Sequence, residues 1–217
     1  MKRGISSYID HTVLNPTATK DNIISLCDEA KAYFFASVCV PPSYVALASS
    51  LLKDTDVNVG TVIGFPLGYN NFEAKFQEAK LAVNDGADEL DMVINQGALK
   101  NGEYDYIVDE IKLIKWNFAD KIVKVIVETC NLDQSEKEKV VDIVIDSGAD
   151  YIKTSTGFSS AGADIDDVIL FRKIAGDRLK IKASGGIRDA KTAKAFIKAG
   201  ADRIGTSSGI KIVTGSD

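Results

Sequence analysis

Along this chain, short runs of β-branched and apolar residues alternate with longer runs in which apolar positions recur at helical spacing. The strand-like runs fall near Tyr8–Thr12, Ser37–Val40, Val57–Ile63, Glu89–Ile94, Ile122–Glu128, Tyr151–Thr154, Lys180–Ala183 and Arg203–Thr206, and each is followed by a helical segment. That alternation predicts parallel strands joined by crossover helices.

The helices carry their own punctuation. Thr19-Lys20-Asp21-Asn22 caps the periodic set Ile23, Ile24, Cys27 and Ala30, and Asp133 or Ser135 opens a helix that runs to Gly148. Gly-Ala-Asp occurs at Gly86-Ala87-Asp88, Gly148-Ala149-Asp150 and Gly200-Ala201-Asp202, each time between the end of a helix and the start of a strand. Glycine supplies the left-handed residue after the helix, and the next two residues turn the chain into the strand. One joint repeated in this way predicts a repeating β/α unit, and eight units close most naturally into a (β/α)8 TIM barrel. Only four prolines (Pro16, Pro41, Pro42, Pro66) and no low-complexity or like-charged run interrupt the pattern, so residues 1–217 are read as one domain. The alternative, an open doubly wound sheet, calls for a Gly-x-Gly-x-x-Gly turn after its first strand. Here Ile9-Asp10-His11-Thr12 is followed by no glycine before Gly60.

Composition narrows the function. With 45% hydrophobic and 26% charged residues, the 217-residue chain fits a folded soluble protein and not a disordered one. No window reaches the roughly 18 uncharged apolar residues of a membrane span, and the start Met1-Lys2-Arg3-Gly4-Ile5-Ser6 lacks a secretory core, so a cytoplasmic protein with no membrane partner is expected. Acidic residues outnumber basic ones, 31 to 26, which argues against a nucleic-acid surface but leaves room for a small anionic ligand. The cysteines Cys27, Cys39 and Cys130 show no C-x-x-C spacing and His11 is the single histidine, so no metal site is expected.

A barrel of this kind works at the C-terminal ends of its strands. There, Tyr151-Ile152-Lys153-Thr154 and Lys180-Ile181-Lys182-Ala183 each place a lysine between an isoleucine and a small residue. If both isoleucines face the helices, the period of two turns Lys153 and Lys182 inward on neighbouring strands about 5 Å apart. Two ammonium groups in one dehydrated cavity repel, so the more buried amine loses its proton nearer neutrality and becomes a nucleophile for Schiff-base chemistry. The alternative places the lysines at the strand mouths, in water or paired to Asp150 or Asp164. Asp91, within Glu89-Leu90-Asp91-Met92, would neutralise the pair and move protons through water, or else form a structural pair with Lys124. Lys182-Ala183-Ser184-Gly185-Gly186-Ile187-Arg188 and Gly205-Thr206-Ser207-Ser208-Gly209 look like anion-binding turns beside the last two strands, with Thr154-Ser155-Thr156-Gly157 adding donors. A small phosphorylated ligand is expected.

Other candidates carry less. Cys39 either lines the pocket or fills the core. His11 is read as structural or as a substrate contact, Cys27 and Cys130 as packing residues, and Trp116, on a stripe with Ile111, Leu113 and Ile114, as core or a subunit contact.

Tyr8-Ile9-Asp10-His11-Thr12, Val38-Cys39-Val40, Thr61-Val62-Ile63-Gly64-Phe65-Pro66-Leu67-Gly68, Glu89 to Asn95, Lys153 to Phe158, Lys182 to Arg188 and Gly205 to Gly209 together resemble, in order and over nearly the whole chain, the deoxyribose-phosphate aldolases. The resemblance implies a class I aldolase, free of metal and other cofactors, that cleaves 2-deoxy-D-ribose 5-phosphate to D-glyceraldehyde 3-phosphate and acetaldehyde. It implies that Lys153 forms the Schiff base, that Lys182 depresses its pKa and assists proton transfer, and that Asp91 gives and takes protons through water. Gly157, Gly185, Gly186, Gly205, Ser207 and Ser208 would hold the phosphate, Asp10 would lie near the sugar hydroxyls, and Cys39 would sit where reactive aldehydes are trapped. A homodimer or dimer-based homo-oligomer is implied as well.

The sequence departs from the family in two places. Some members carry a C-terminal tyrosine that swings over the site, whereas this chain ends at Asp217 with no tyrosine after Tyr151, so that relay is not expected here. Pro41-Pro42 replaces the common Asn-Pro, and Gly68-Tyr69-Asn70-Asn71-Phe72 carries an aromatic where the family is usually small. Two other readings remain open: a different Schiff-base phosphosugar aldolase or transaldolase, and a non-catalytic phosphosugar-binding barrel.

Overall fold

The computed structural model describes residues 4–215. Met1–Arg3 and the end of the chain at Asp217, on which two of the readings above lean, lie outside the described residues. The strands β1 (Ile9–Thr12), β2 (Ser37–Val40), β3 (Asn58–Ile63), β4 (Glu89–Val93), β5 (Ile122–Ile126), β6 (Tyr151–Lys153), β7 (Lys180–Ser184) and β8 (Arg203–Thr206) pair in parallel in chain order. The circle closes between β8 and β1 into a (β/α)8 barrel. Around it run α1 (Lys20–Tyr33), α2 (Val45–Leu52), α3 (Phe72–Asn84), α4 (Gln96–Lys100), α5 (Tyr104–Asn117), α6 (Gln134–Asp146), α7 (Ile165–Ala175), α8 (Ala190–Ala199) and α9 (Gly209–Thr214). No helix among the described residues is long and apolar enough to cross a membrane.

The repeated joint has a physical basis beyond its glycine. Gly86, Gly148 and Gly200 all take positive φ. The aspartate two residues on then bonds the strand before the helix. The carboxylates of Asp88, Asp150 and Asp202 accept from the N–H groups of Val59, Val123 and Ile181 at 3.0, 2.8 and 2.9 Å. Gly-Ala-Asp thus stops a helix, starts a strand and ties off its neighbour in three residues. Thr19 and Asp133 are the caps of α1 and α6, each in a reciprocal capping box.

Several boundaries and positions differ from the sequence reading. β5 ends at Ile126, because Glu128 leaves the extended region with φ of 56°. β6 stops at Lys153, whereas β7 runs one residue further, to Ser184. Ile24 is exposed, and Leu26 fills the place in the α1 core stripe that the reading gave it. Trp116 is 75% exposed at the end of α5, so it is not core; Ile107, Ile111 and Ile114 form the buried stripe. Cys27 is packed against the core, but Cys130 is only part-buried, with Sγ 3.3 Å from Ser159 Oγ in the loops after β5 and β6.

Candidate active site

The strand period of two decides where the charges go. Leu90, Ile152, Ile181 and Ile204 pack into the layer between sheet and helices, which turns their neighbours Asp91, Lys153, Lys182 and Arg203 into the barrel. Lys153 and Lys182 are direct register partners on adjacent strands, with 3% and 1% of their side chains exposed.

Inside the barrel the charged groups form a continuous chain. The Arg203 guanidinium bonds Asp10 and lies 3.0 Å from Glu89 Oε1. Lys124 Nζ sits 2.5 Å from Glu89 Oε2 and 2.7 Å from Asp91 Oδ1. The other oxygen of Asp91 receives both lysines, Lys153 at 2.8 Å and Lys182 at 2.7 Å. Lys182 also lies 2.6 Å from Asp10 Oδ2, as an ion pair without an aligned hydrogen bond. Asp91 therefore makes both of the contacts weighed for it, to Lys124 and to the lysine pair. Asp150 and Asp164 are elsewhere, the first on Lys115 and the second capping α7.

Proton affinities follow from this arrangement. Four cations (Lys124, Lys153, Lys182, Arg203) face three carboxylates (Asp10, Glu89, Asp91), so the buried cluster is neutral when one amine is unprotonated. Burial, aided by repulsion from Lys182, pushes the Lys153 pKa down despite the attraction of Asp91. Burial works against the Lys182 ammonium too, but Asp10 and Asp91 outweigh it and raise its pKa. The sequence expectation made burial decide which amine is free, but both amines are almost fully buried and burial does not separate them. The carboxylates separate them: Lys182 faces both Asp10 and Asp91, whereas Lys153 faces Asp91 alone. Asp91 stays far below the usual carboxylate range although burial opposes this, because Lys124, Lys153 and Lys182 surround it. Burial, reinforced by Asp91, raises the Cys39 thiol.

A cavity of about 450 Å³ opens over the C-terminal ends of the strands, and Lys153 reaches its wall with Gly157, Gly185, Gly186, Gly205 and Ser207. Gly157, Gly185 and Gly186 take φ of 86°, 90° and 81°, turns that aim successive N–H groups into a concavity. The N–H groups of Gly157, Gly185, Gly186 and Ser207 have no protein acceptor among the described residues. Asp91, Lys182, Asp10 and Cys39 lie beneath the cavity without lining it, and Ser208 stands outside its wall at the entry of α9. A second cavity, of about 670 Å³, lies at the opposite mouth and reaches Arg203 but neither lysine of the pair.

Gly205 is needed for space. A Cβ there would stand 3.0 Å from Lys182 Cε and 2.9 Å from Ser184 Cβ. Gly205→Ala is therefore expected to displace the Lys182 ammonium, lower turnover by about 10²-fold and lower the melting temperature by several degrees through overpacking, as steady-state rates and a thermal melt would read.

Sequence reasoning missed Glu89 and Arg203, and weighed Lys124 only as a partner for Asp91. Parity was the available signal, because Glu89 and Asp91 are two apart on β4, and Arg203 and Gly205 two apart on β8. The Thr12–Pro16 loop and Arg188, which also line the cavity, were not singled out. His11 faces away from the barrel, with Nε2 2.5 Å from Glu29 and its ring against Phe35, so it is structural.

A buried lysine pair on one carboxylate, under N–H groups without protein acceptors at the mouth of a (β/α)8 barrel, makes a site fit for an enzyme whose substrate is small and anionic. The comparisons agree, and the chain belongs to the DeoC/LacD family aldolases, whose family description matches residues 5–215. It is 54% identical over 216 residues to a protein of Caldicellulosiruptor saccharolyticus named deoxyribose-phosphate aldolase, covering 98% of each chain. A solved aldolase superposes with a TM-score of 0.94 at 46% identity, covering 97% of this chain and 95% of the other. A deoxyribose phosphate aldolase from Aeropyrum pernix, described as tetrameric, superposes with a TM-score of 0.90 at 35% identity over 97% and 89% of the two chains.

Proposed function

We propose that this chain reversibly cleaves 2-deoxy-D-ribose 5-phosphate to D-glyceraldehyde 3-phosphate and acetaldehyde through an imine on Lys153. The observation that carries the reading is the single Asp91 oxygen shared by Lys153 and Lys182, with Lys153 alone of the two reaching the cavity.

The unprotonated Lys153 amine attacks C1 of the open-chain sugar, and the carbinolamine loses water to give a protonated imine. That imine is the electron sink. The C3 hydroxyl gives up its proton, the C2–C3 bond breaks, and its electron pair becomes the enamine on the lysine-bound half while glyceraldehyde 3-phosphate leaves. Protonation at C2 and hydrolysis then release acetaldehyde and restore the amine. Asp91 is held as an anion, so the standing acid next to Lys153 is the Lys182 ammonium. Asp91 relays protons between the two amines and, through water, to the substrate. The N–H groups of Gly157, Gly185, Gly186 and Ser207 would take the phosphate, with Gly205 and Ser208 shaping that wall. Asp10 acts through Lys182, and Cys39, buried beneath the cavity beside the amines, is where an aldehyde that passes Lys153 would be trapped.

The test is borohydride reduction in the presence of acetaldehyde, with mass mapping of the modified peptide. An N-ethyl group on Lys153 and release of acetaldehyde from 2-deoxyribose 5-phosphate are expected. An adduct on another lysine, or cleavage of a ketose phosphate instead, would move the chain to another Schiff-base enzyme, and binding with no adduct would make it a silent phosphosugar-binding barrel. Turnover is also expected to be unchanged after dialysis against EDTA, since the protonated imine does the work a Lewis acid would do; loss restored by zinc would contradict it. We further propose a homodimer or dimer-based homo-oligomer, supported by the exposed Trp116 and the tetrameric relative and tested by sedimentation. A cytoplasmic location suits a charged substrate that does not cross membranes.

A further inference from the structure

Two non-glycine residues among the described ones have positive φ, and only one of them is explained by a helix end. Phe34, at 55°, is the C-cap of α1. Glu128, at 56°, stands two residues past the end of β5, where an L side chain resists that conformation. Its carboxylate is buried, with 2% of the residue exposed, and has no lysine, arginine or histidine partner among the described residues. Strain and an uncompensated buried carboxylate at one position call for a reason.

The reason is what the carboxylate holds. Both of its oxygens accept from the Thr156 N–H at 3.3 Å, and Oε2 also accepts from the Thr156 hydroxyl. That hydroxyl in turn accepts from the Phe158 N–H at 3.0 Å. Gly157, with φ of 86°, is enclosed between these bonds. On either side of Glu128, Val127 N–H donates to Lys153 O at 3.1 Å and Thr129 N–H to Thr154 O at 2.9 Å, so the two segments are joined on both sides of the carboxylate. Thr156, Gly157 and Phe158 line the cavity beside Lys153. With Thr156 N–H engaged by Glu128, the next N–H, that of Gly157 at the cavity wall, is left without a protein acceptor among the described residues.

We infer that Glu128 is a positioning residue that fixes the loop after β6 so that Gly157 presents its N–H to the phosphate of the substrate. The inference rests on the aldolase reading above. It predicts a split between the two ends of the substrate, because acetaldehyde has no phosphate and meets only the lysine.

Glu128→Gly keeps the backbone conformation free of strain while deleting the carboxylate. Loss of a charge-assisted hydrogen bond is expected to weaken binding of inorganic phosphate and to raise KM for 2-deoxyribose 5-phosphate by about tenfold or more. Borohydride trapping of acetaldehyde on Lys153 should stay within about twofold of the unmodified protein. Glu128→Gln, which retains one acceptor oxygen and the same shape, should show a smaller loss confined to phosphate, and it carries the same comparison if the glycine variant does not fold. Equal losses of phosphate binding and acetaldehyde trapping would make Glu128 merely structural, and no loss of either would remove it from the site. Failure of the aldolase reading looks different: the unmodified protein itself would trap no acetaldehyde, while phosphate titration would still report on the loop.

Discussion

Replacement of Lys153 by Met is expected to lower cleavage of 2-deoxyribose 5-phosphate by on the order of 10⁴-fold or more and to abolish borohydride trapping. Everything else in the barrel survives the change. Met matches the length of the lysine stem and removes only the charged end. The amine it removes is the one that burial and Lys182 favour as uncharged, so the remaining cations Lys124, Lys182 and Arg203 still balance Asp10, Glu89 and Asp91. Asp91 keeps Lys124 on one oxygen and Lys182 on the other. The melting temperature should therefore stay close to that of the unmodified protein, and inorganic phosphate should still bind, since its N–H donors are backbone groups that the side-chain change leaves in place. Retained cleavage in a protein still trapped by borohydride would place the nucleophile elsewhere.

The barrel was legible because its signals are local. The Gly-Ala-Asp joints, the capping residues of α1 and α6 and the alternation within each strand act over a few residues, and each shows in the sequence as it acts in space. The pairing of Lys153 with Lys182 was legible for the same reason, since two identical Ile-Lys-small runs on consecutive strands fix parity and neighbourhood together. Which lysine is uncharged was not legible, because the answer depends on Asp10 and Asp91, which approach across the barrel from β1 and β4. The roles of Arg203 and Glu89 were hidden likewise, since nothing near either residue in the chain shows that they close one network through Asp10 and Lys124. Glu128 was read as the end of a strand. Its left-handed backbone accompanies a hydrogen bond to Thr156, 28 residues later, which nothing in the neighbouring sequence announces.

Replacement of Lys182 by Met should cost about 10²- to 10³-fold in kcat/KM at neutral pH, and the shape of the pH profile should say why. Lys153 works as the free amine, so activity is present above its pKa in the unliganded protein and is lost as pH falls through it. Burial and the Lys182 charge hold that pKa below the ordinary lysine value. Without Lys182, the three remaining cations balance the three carboxylates only when Lys153 is itself protonated, and the Asp91 oxygen that both lysines shared serves Lys153 alone. The pKa of Lys153 must rise, and the acidic limb of kcat/KM must move to higher pH. Part of the loss at neutrality should return on the alkaline side, and the rest should not, because the ammonium that supplied the proton is gone. Rates measured across the pH range separate the two contributions. A profile whose limb stays in place while the plateau drops would leave Lys182 as a proton source alone and would assign the lowered pKa of Lys153 to burial.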